Sequence, residues 1–180
     1  MAANIEIKAH LSDREAAQSA ASTMGAQYEA TLQQVDVYFR AQRGRLKLRS
    51  IDNRTAELIF YNRDERQDQL RSRYERCRAA DSDQLRHVLE SAYGIRGVVE
   101  KRRILWMYKD ARIHFDEVKG LGSFLEIEVP MGEHPDQAEA TMRYLLEGFR
   151  ITPEAYVRES YIDLLERTAG TESDRSPEVA

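Results

Sequence analysis

The stretch "NIEIKAHL", Asn4 to Leu11, alternates in period two: Glu6 and Lys8 fall on one face of a strand, and Ile5, Ile7 and Ala9 on the other. Five further segments repeat the design. Counting by two places Arg45 with Lys47 and Arg49, Arg73 with Glu75, Lys101 with Arg103, Arg112 with His114 and Asp116, and Glu126 with Glu128. Apolar sets run opposite most of these, namely Leu46/Leu48, Ile113/Phe115 and Leu125/Ile127/Val129. Each such strand is therefore apolar on one face and ionic on the other.

Alternation of this kind also suits an open antiparallel sheet with one face on a core and the other in water. Two features argue against that reading. A solvated face normally mixes Thr, Ser and Gln with its charges, whereas here both signs sit on most strands. The helices also need a surface to pack on, and the apolar strand faces are the large surface on offer.

Those helices are legible from their ends. "SDREAAQSAASTMG" opens with Ser12 as N-cap, has Glu15 in capping-box position and closes on Gly25. Ser82 to Tyr93, closed by Gly94, carries Leu85, Val88 and Leu89 as its buried stripe. "HPDQAEATMRYLLEGF" is a third helix, and "PEAYVRESYIDLLERT" supplies one or two more. Between them lie roughly eight strands, mostly antiparallel neighbours, with a hairpin turn at Lys109-Asp110: an α+β domain dominated by a meander. Residues 1–169 read as one domain, and Gly170–Ala180, "GTESDRSPEVA", as a disordered tail with too little apolar mass to offset its ordering.

With helices outside, the ionic faces look at one another across a closed or nearly closed sheet. Confined charges require partners or ions. A strongly anionic ligand accompanied by a divalent metal would satisfy both signs. Lys and Arg would hold phosphate oxygens, while Glu and Asp would hold Mg²⁺ or Mn²⁺, which favour hard oxygen ligands.

Composition narrows the alternatives. The chain of 180 residues has 31 acidic and 27 basic side chains, a net charge of −4, which gives no electrostatic footprint for nucleic acid. Cys77 alone forms no internal disulfide or zinc knuckle. The absence of a signal-like N-terminus or a bilayer-length apolar run points to a cytoplasmic protein without membrane attachment, and an isologous homodimer is compatible with its size.

Taken in order, these residues resemble the CYTH family, the triphosphate tunnel metalloenzymes. "NIEIK" is similar to the family's opening Glu-x-Glu-x-Lys, with Asn4 in place of the first glutamate; "GRLKLR", "RYE", "VEKRR" and "HFDEVKGLGSFLEIE" follow with matching spacing, over about residues 4 to 165. "YFRAQRGRLKLR" and "ESYIDLL" look more like the class IV adenylyl cyclase branch than the thiamine triphosphatase branch. The resemblance implies an eight-stranded antiparallel closed β-barrel, a tunnel with helices packed on the outside, that binds a small-molecule triphosphate end-on. It implies substrate-binding roles for Lys8, Lys47, Arg49, Arg73, Lys101 and Arg103, and metal ligation by Glu6, Glu75, Asp116, Glu126 and Glu128 with Mg²⁺ or Mn²⁺ as cofactor. Catalysis would fall to Lys8, Lys101, Arg103 and Asp116. The activity implied is cyclisation of ATP to cyclic AMP and pyrophosphate. The alternatives are hydrolysis of tripolyphosphate, thiamine triphosphate or a nucleoside triphosphate, and binding of a triphosphate without turnover. His114 is read as a hydrogen-bonded strand histidine rather than a ligand, and Tyr161 as a candidate substrate contact on a mainly core-packing helix.

Overall fold

A computed structural model describes residues 2–64 and 70–173. Eight strands, β1 (Ala2–His10), β2 (Gln27–Phe39), β3 (Arg45–Ile51), β4 (Thr55–Asp64), β5 (Leu70–Ala79), β6 (Ile95–Tyr108), β7 (Ala111–Val118) and β8 (Gly122–Pro130), close into a barrel in the order β1-β5-β4-β3-β2-β6-β7-β8. Every neighbouring pair is antiparallel, and β1 closes the ring by pairing with both β5 and β8. Tight turns do the joining: Asp52 and Asn53, both at positive φ, link β3 to β4, and Lys109, at φ 52°, opens the predicted turn between β6 and β7.

Because side chains alternate, one apolar set points outward along each strand and is covered by helices. Ile5, Ile7, Ile113, Phe115, Leu125 and Ile127 form one buried layer beneath helices α1 (Arg14–Thr23) and α3 (Pro135–Phe149), which contributes Met142 and Leu145. A second layer, Val37, Phe39 and Leu48, takes Leu89 of α2 (Ser82–Tyr93). Of the stripe expected on α2, Leu89 is buried and Leu85 packs partly, but Val88 is 58% exposed. A 12-residue helix lying on a convex barrel touches it along a narrower line than three positions require. The cap of α1 also moves one residue from its expected place: Asp13, not Ser12, accepts from the Ala16 N–H at 2.9 Å.

Helix α4 (Tyr161–Ser173) is placed differently from the others. Its first turn lies across one end of the barrel. There Tyr161, Ile162 and Leu164 form a buried cluster with Tyr38, Tyr61, Val99, Val118 and Phe124, side chains that continue the inward-facing series of their strands. Approach is close because β6 carries Gly97 beneath the helix, where an added Cβ would lie 2.6 Å from Ile162 Cδ1. Arg45 and Arg96 reach Asp163 at 2.8 and 2.6 Å, and Arg96 also pairs with Glu166 at 2.7 Å. Ser160 caps the helix through reciprocal bonds with Asp163. The helix continues to Ser173, past the expected start of the tail at Gly170; residues 174–180 lie outside the described residues. Among the described residues, no helix is long and apolar enough to cross a membrane.

Candidate active site

The inward face of the barrel is the ionic one. Glu6 and Lys8 of β1 are 6% and 3% exposed although both are charged, and they line a cavity of about 290 Å³ inside the ring. Near the end covered by α4, the Lys8 ammonium donates to the Glu159 carbonyl and lies 4.5 Å from the Tyr161 ring centroid. Towards the other end the wall turns apolar, with Leu32, Ile51 and Leu105 on the adjacent strands β2, β3 and β6.

Two similar units, each an aspartate facing a Lys-x-Arg strand, form most of the positive wall. On β2 and β3, Asp36 accepts from Lys47 Nζ at 2.8 Å and from Arg49 Nε and Nη2 at 2.7 and 2.8 Å. On β6 and β7, Asp116 accepts from Lys101 Nζ at 2.9 Å, Arg103 Nε and Nη2 at 2.7 and 2.6 Å, and the Tyr161 hydroxyl at 3.0 Å. In each unit the arginine and aspartate are direct cross-strand partners, so sheet register sets the pairing. Burial alone would raise both carboxyls, but Arg49 and Lys47 at Asp36, and Arg103 and Lys101 at Asp116, outweigh it and hold them well below the usual range. Lys101 goes the other way. Burial and the adjacent Arg103 bring its ammonium down to about 8, against the pull of Asp116.

A carboxylate group completes the lumen. Glu126 pairs with Arg103 at 2.6 Å and Glu128 with Arg112 at 2.7 Å. Arg112 also reaches position 4: with the Asn4 amide turned to give its nitrogen to the Ala3 carbonyl, its oxygen accepts from Arg112 Nη2 at 2.9 Å. His114, 3% exposed, points Nδ1 between these glutamates, 3.5 Å from Glu126 Oε2 and 3.8 Å from Glu128 Oε1, and that nitrogen is buried without a hydrogen-bond partner. The donor atoms of His114, Glu126 and Glu128 lie within 4.8 Å of one another. Two carboxylates and an orphaned ring nitrogen converging on one point are a donor set that fits a divalent cation.

The barrel brings together Glu6, Lys8, Lys47, Arg49, Lys101, Arg103, Asp116, Glu126 and Glu128, all expected from the sequence to share a site. Asp116, however, is engaged by cations. Its Oδ2 already accepts three hydrogen bonds, which suits a group that orients Lys101 and Arg103 better than one that holds a metal. Arg73 and Glu75 are corrected: both are exposed on the outer face, and β5 presents Ser72, Tyr74 and Arg76 to the lumen instead. Their strand, "SRYERCRA", is charged on both faces, so counting by two has no apolar set to anchor it; pairing of Ser72 with Asn4 and of Tyr74 with Tyr61 decides the register. His114 lies on the lumen face as expected, but its Nδ1 stands 3.5 Å from the nearest carboxylate oxygen without a well-aligned hydrogen bond. Asp36 was missing from the expected site, and Arg112, expected on the ionic face of its strand, was given no role there. The signal for Asp36 was present in "VDVYF", where Val35, Val37 and Phe39 turned outward leave Asp36 and Tyr38 facing in.

A closed antiparallel barrel with paired cations and carboxylates in its lumen defines a triphosphate tunnel fold. The chain belongs to the CYTH domain family, whose model matches residues 2–161. Members of that family are adenylyl cyclases or triphosphatases and in general depend on a divalent metal. Among solved structures, the PH1012 protein of Pyrococcus horikoshii superposes with a TM-score of 0.79 at 20% identity, covering 89% of this chain and 98% of that one. An adenylate cyclase candidate from Vibrio parahaemolyticus gives 0.74 at 19% identity, over 91% and 97% of the two chains. A Hippeastrum adenylyl cyclase candidate described as having dominant triphosphatase activity gives 0.67 at 16% identity, over 92% and 96%. These likenesses establish the fold. Comparison with curated proteins gave no match.

Proposed function

We propose that the chain turns over an organic triphosphate held end-on in the tunnel, with Mg²⁺ or Mn²⁺, and that its first reaction is cyclisation of ATP to cyclic AMP and pyrophosphate. The observation that carries this is the pair of aspartate-ordered Lys-x-Arg units, Lys47/Arg49 and Lys101/Arg103, aimed into one lumen. Five cations counting Lys8 offer a chain of phosphates more charge than a single phosphate needs. The apolar group Leu32, Ile51 and Leu105 favours a substrate whose far end is a flat organic ring, and so a nucleotide over tripolyphosphate.

In this reading Lys8, Lys47 and Lys101 grip the terminal phosphates near α4, while Arg49 and Arg103, held rigid by Asp36 and Asp116, face the phosphorus under attack. The 3′-oxygen bonds to the α-phosphorus, the bond to the bridging oxygen breaks, pyrophosphate carries away the electron pair, and the hydroxyl proton passes to water. Prepositioned guanidinium groups stabilise charge that grows on the leaving oxygens without reorganising. A divalent ion held by Glu6, Glu126 and Glu128 would supply further neutralisation of the phosphate oxygens. Hydrolysis is the second reading, supported by the fold shared with the Hippeastrum protein; water would then attack the terminal phosphorus, its bond to the bridging oxygen would break, and orthophosphate would be released.

Separate incubation with ATP, thiamine triphosphate and tripolyphosphate, each with Mg²⁺ or Mn²⁺, discriminates these. Cyclic AMP with pyrophosphate supports cyclisation, orthophosphate supports hydrolysis, and binding without product leaves a triphosphate-binding module.

A further inference from the structure

We infer that His114 is a metal ligand of the tunnel, its Nδ1 joining Glu126 and Glu128 to form a three-donor face, and that this nitrogen gives the site a preference for Mn²⁺ over Mg²⁺. The inference rests on the reading that the lumen holds a divalent ion.

The backbone sets the arrangement. His114 is the direct cross-strand partner of Glu126 on β8, and Glu128 is the next residue along on the same inward face. Neighbouring donors around an octahedral ion with bonds of about 2.2 Å lie about 3.1 Å apart. Nδ1 stands 3.5 Å from one carboxylate and 3.8 Å from the other, so a small inward closure completes the site. Nδ1 is buried and forms no well-aligned hydrogen bond, although a carboxylate oxygen stands 3.5 Å away. With its proton on Nε2, the ring turns a lone pair towards the two carboxylates, an arrangement that a cation among them would stabilise. Arg112 holds Glu128 Oε2 and leaves Oε1 towards Nδ1, while Glu126 Oε2 lies against both Nδ1 and Arg103 Nη2. Imidazole suits transition metals, whereas Mg²⁺ prefers oxygen donors and its own waters.

The test uses the full chain with its histidines labelled with ¹⁵N, loaded with Mn²⁺ and examined by pulsed EPR, together with Mn²⁺ and Mg²⁺ titrations of the wild type, His114→Ala and Glu126→Gln. The inference expects ¹⁵N coupling to bound Mn²⁺, Mn²⁺ held at least about tenfold more tightly than Mg²⁺, and loss of both in His114→Ala while Mg²⁺ binding persists. The wild-type spectrum answers the question even if a variant fails to fold. Bound Mn²⁺ without ¹⁵N coupling overturns the histidine ligand and leaves the metal reading standing. No Mn²⁺ binding by the wild type, or undiminished binding by a folded Glu126→Gln, overturns the metal reading at these carboxylates and the inference with it.

Discussion

Asp36 on β2 and Arg49 on β3 face each other across the sheet, and the guanidinium grips both carboxylate oxygens at 2.7 and 2.8 Å. The same carboxylate accepts from Lys47, so one negative charge orders two lumen cations. Removing it leaves both buried and unpaired. Asp36→Ala is expected to cost about 3–5 kcal/mol of stability and to weaken pyrophosphate binding by at least tenfold. Urea unfolding and calorimetric titration check this, and a variant within about 1 kcal/mol of wild type would show that the pair does not order the wall.

Glu126→Gln tests the carboxylate group. A carboxylate-only view expects relief of repulsion between Glu126 and Glu128, and hence a more stable protein. Because Glu126 pairs with Arg103 and Glu128 with Arg112, the loss of pairing outweighs that relief. The variant should lose metal-dependent turnover by about 100-fold or more and lose about 1–3 kcal/mol of stability. A gain in melting temperature would contradict the pairing.

Acid should loosen the helix that covers the barrel end. Burial pushes the Asp163 carboxyl up, but bonds from Ser160 and Arg96 and the charge of Arg45 bring it to about 2, against 3.8 when free. A depressed carboxyl binds fewer protons folded than unfolded, so its stabilisation is complete above about pH 4 and is lost as pH falls towards 2. Asp36 and Asp116 act in the same sense from the same upper limit and continue to lower pH. Melting temperature should therefore drop between pH 4 and 2, and Asp163→Asn should flatten the upper part of that drop.

Lys101 predicts the opposite sense on the alkaline side. With its ammonium at about 8, the free tunnel loses a lumen charge as pH passes that value. Affinity for pyrophosphate should fall from pH 7 to 9, and Lys101→Arg, which stays charged, should abolish the dependence. An unchanged slope in Lys101→Arg would place the titrating group elsewhere.

Tyr161→Phe removes one hydrogen bond to Asp116 but keeps the ring beside Lys8 and Lys101. The expected loss is about 1 kcal/mol, read by chemical denaturation. Gly97→Ala should cost about as much for a different reason, since the new methyl displaces Ile162 at the helix docking point.

The barrel was legible in the sequence wherever one strand face was purely apolar. Ile5/Ile7, Leu46/Leu48 and Leu125/Ile127 orient their strands without ambiguity, and Glu6, Lys8, Lys47, Arg49, Glu126 and Glu128 follow into the lumen. On β5 the pattern fails, because exposed Arg73 and Glu75 alternate with lumen-facing Tyr74 and Arg76 and nothing local chooses between them. Asp36 was hidden differently, standing alone between valines with its partners on the next strand. The role of α4 could not be read locally, since Tyr161, Ile162 and Leu164 look alike whether a helix covers the side of a barrel or its end.

That end has a kinetic meaning. Among the described residues, the α4 cluster fills the end of the tunnel beside Lys8 and Lys101, which favours traffic through the opposite mouth. Under the proposed cyclisation, a substrate threaded phosphates-first would leave its nucleoside fragment nearer the exit and order departure, the cyclic product first and pyrophosphate last. Pyrophosphate should accordingly compete with ATP, whereas cyclic AMP should inhibit only by rebinding in front of the trapped fragment.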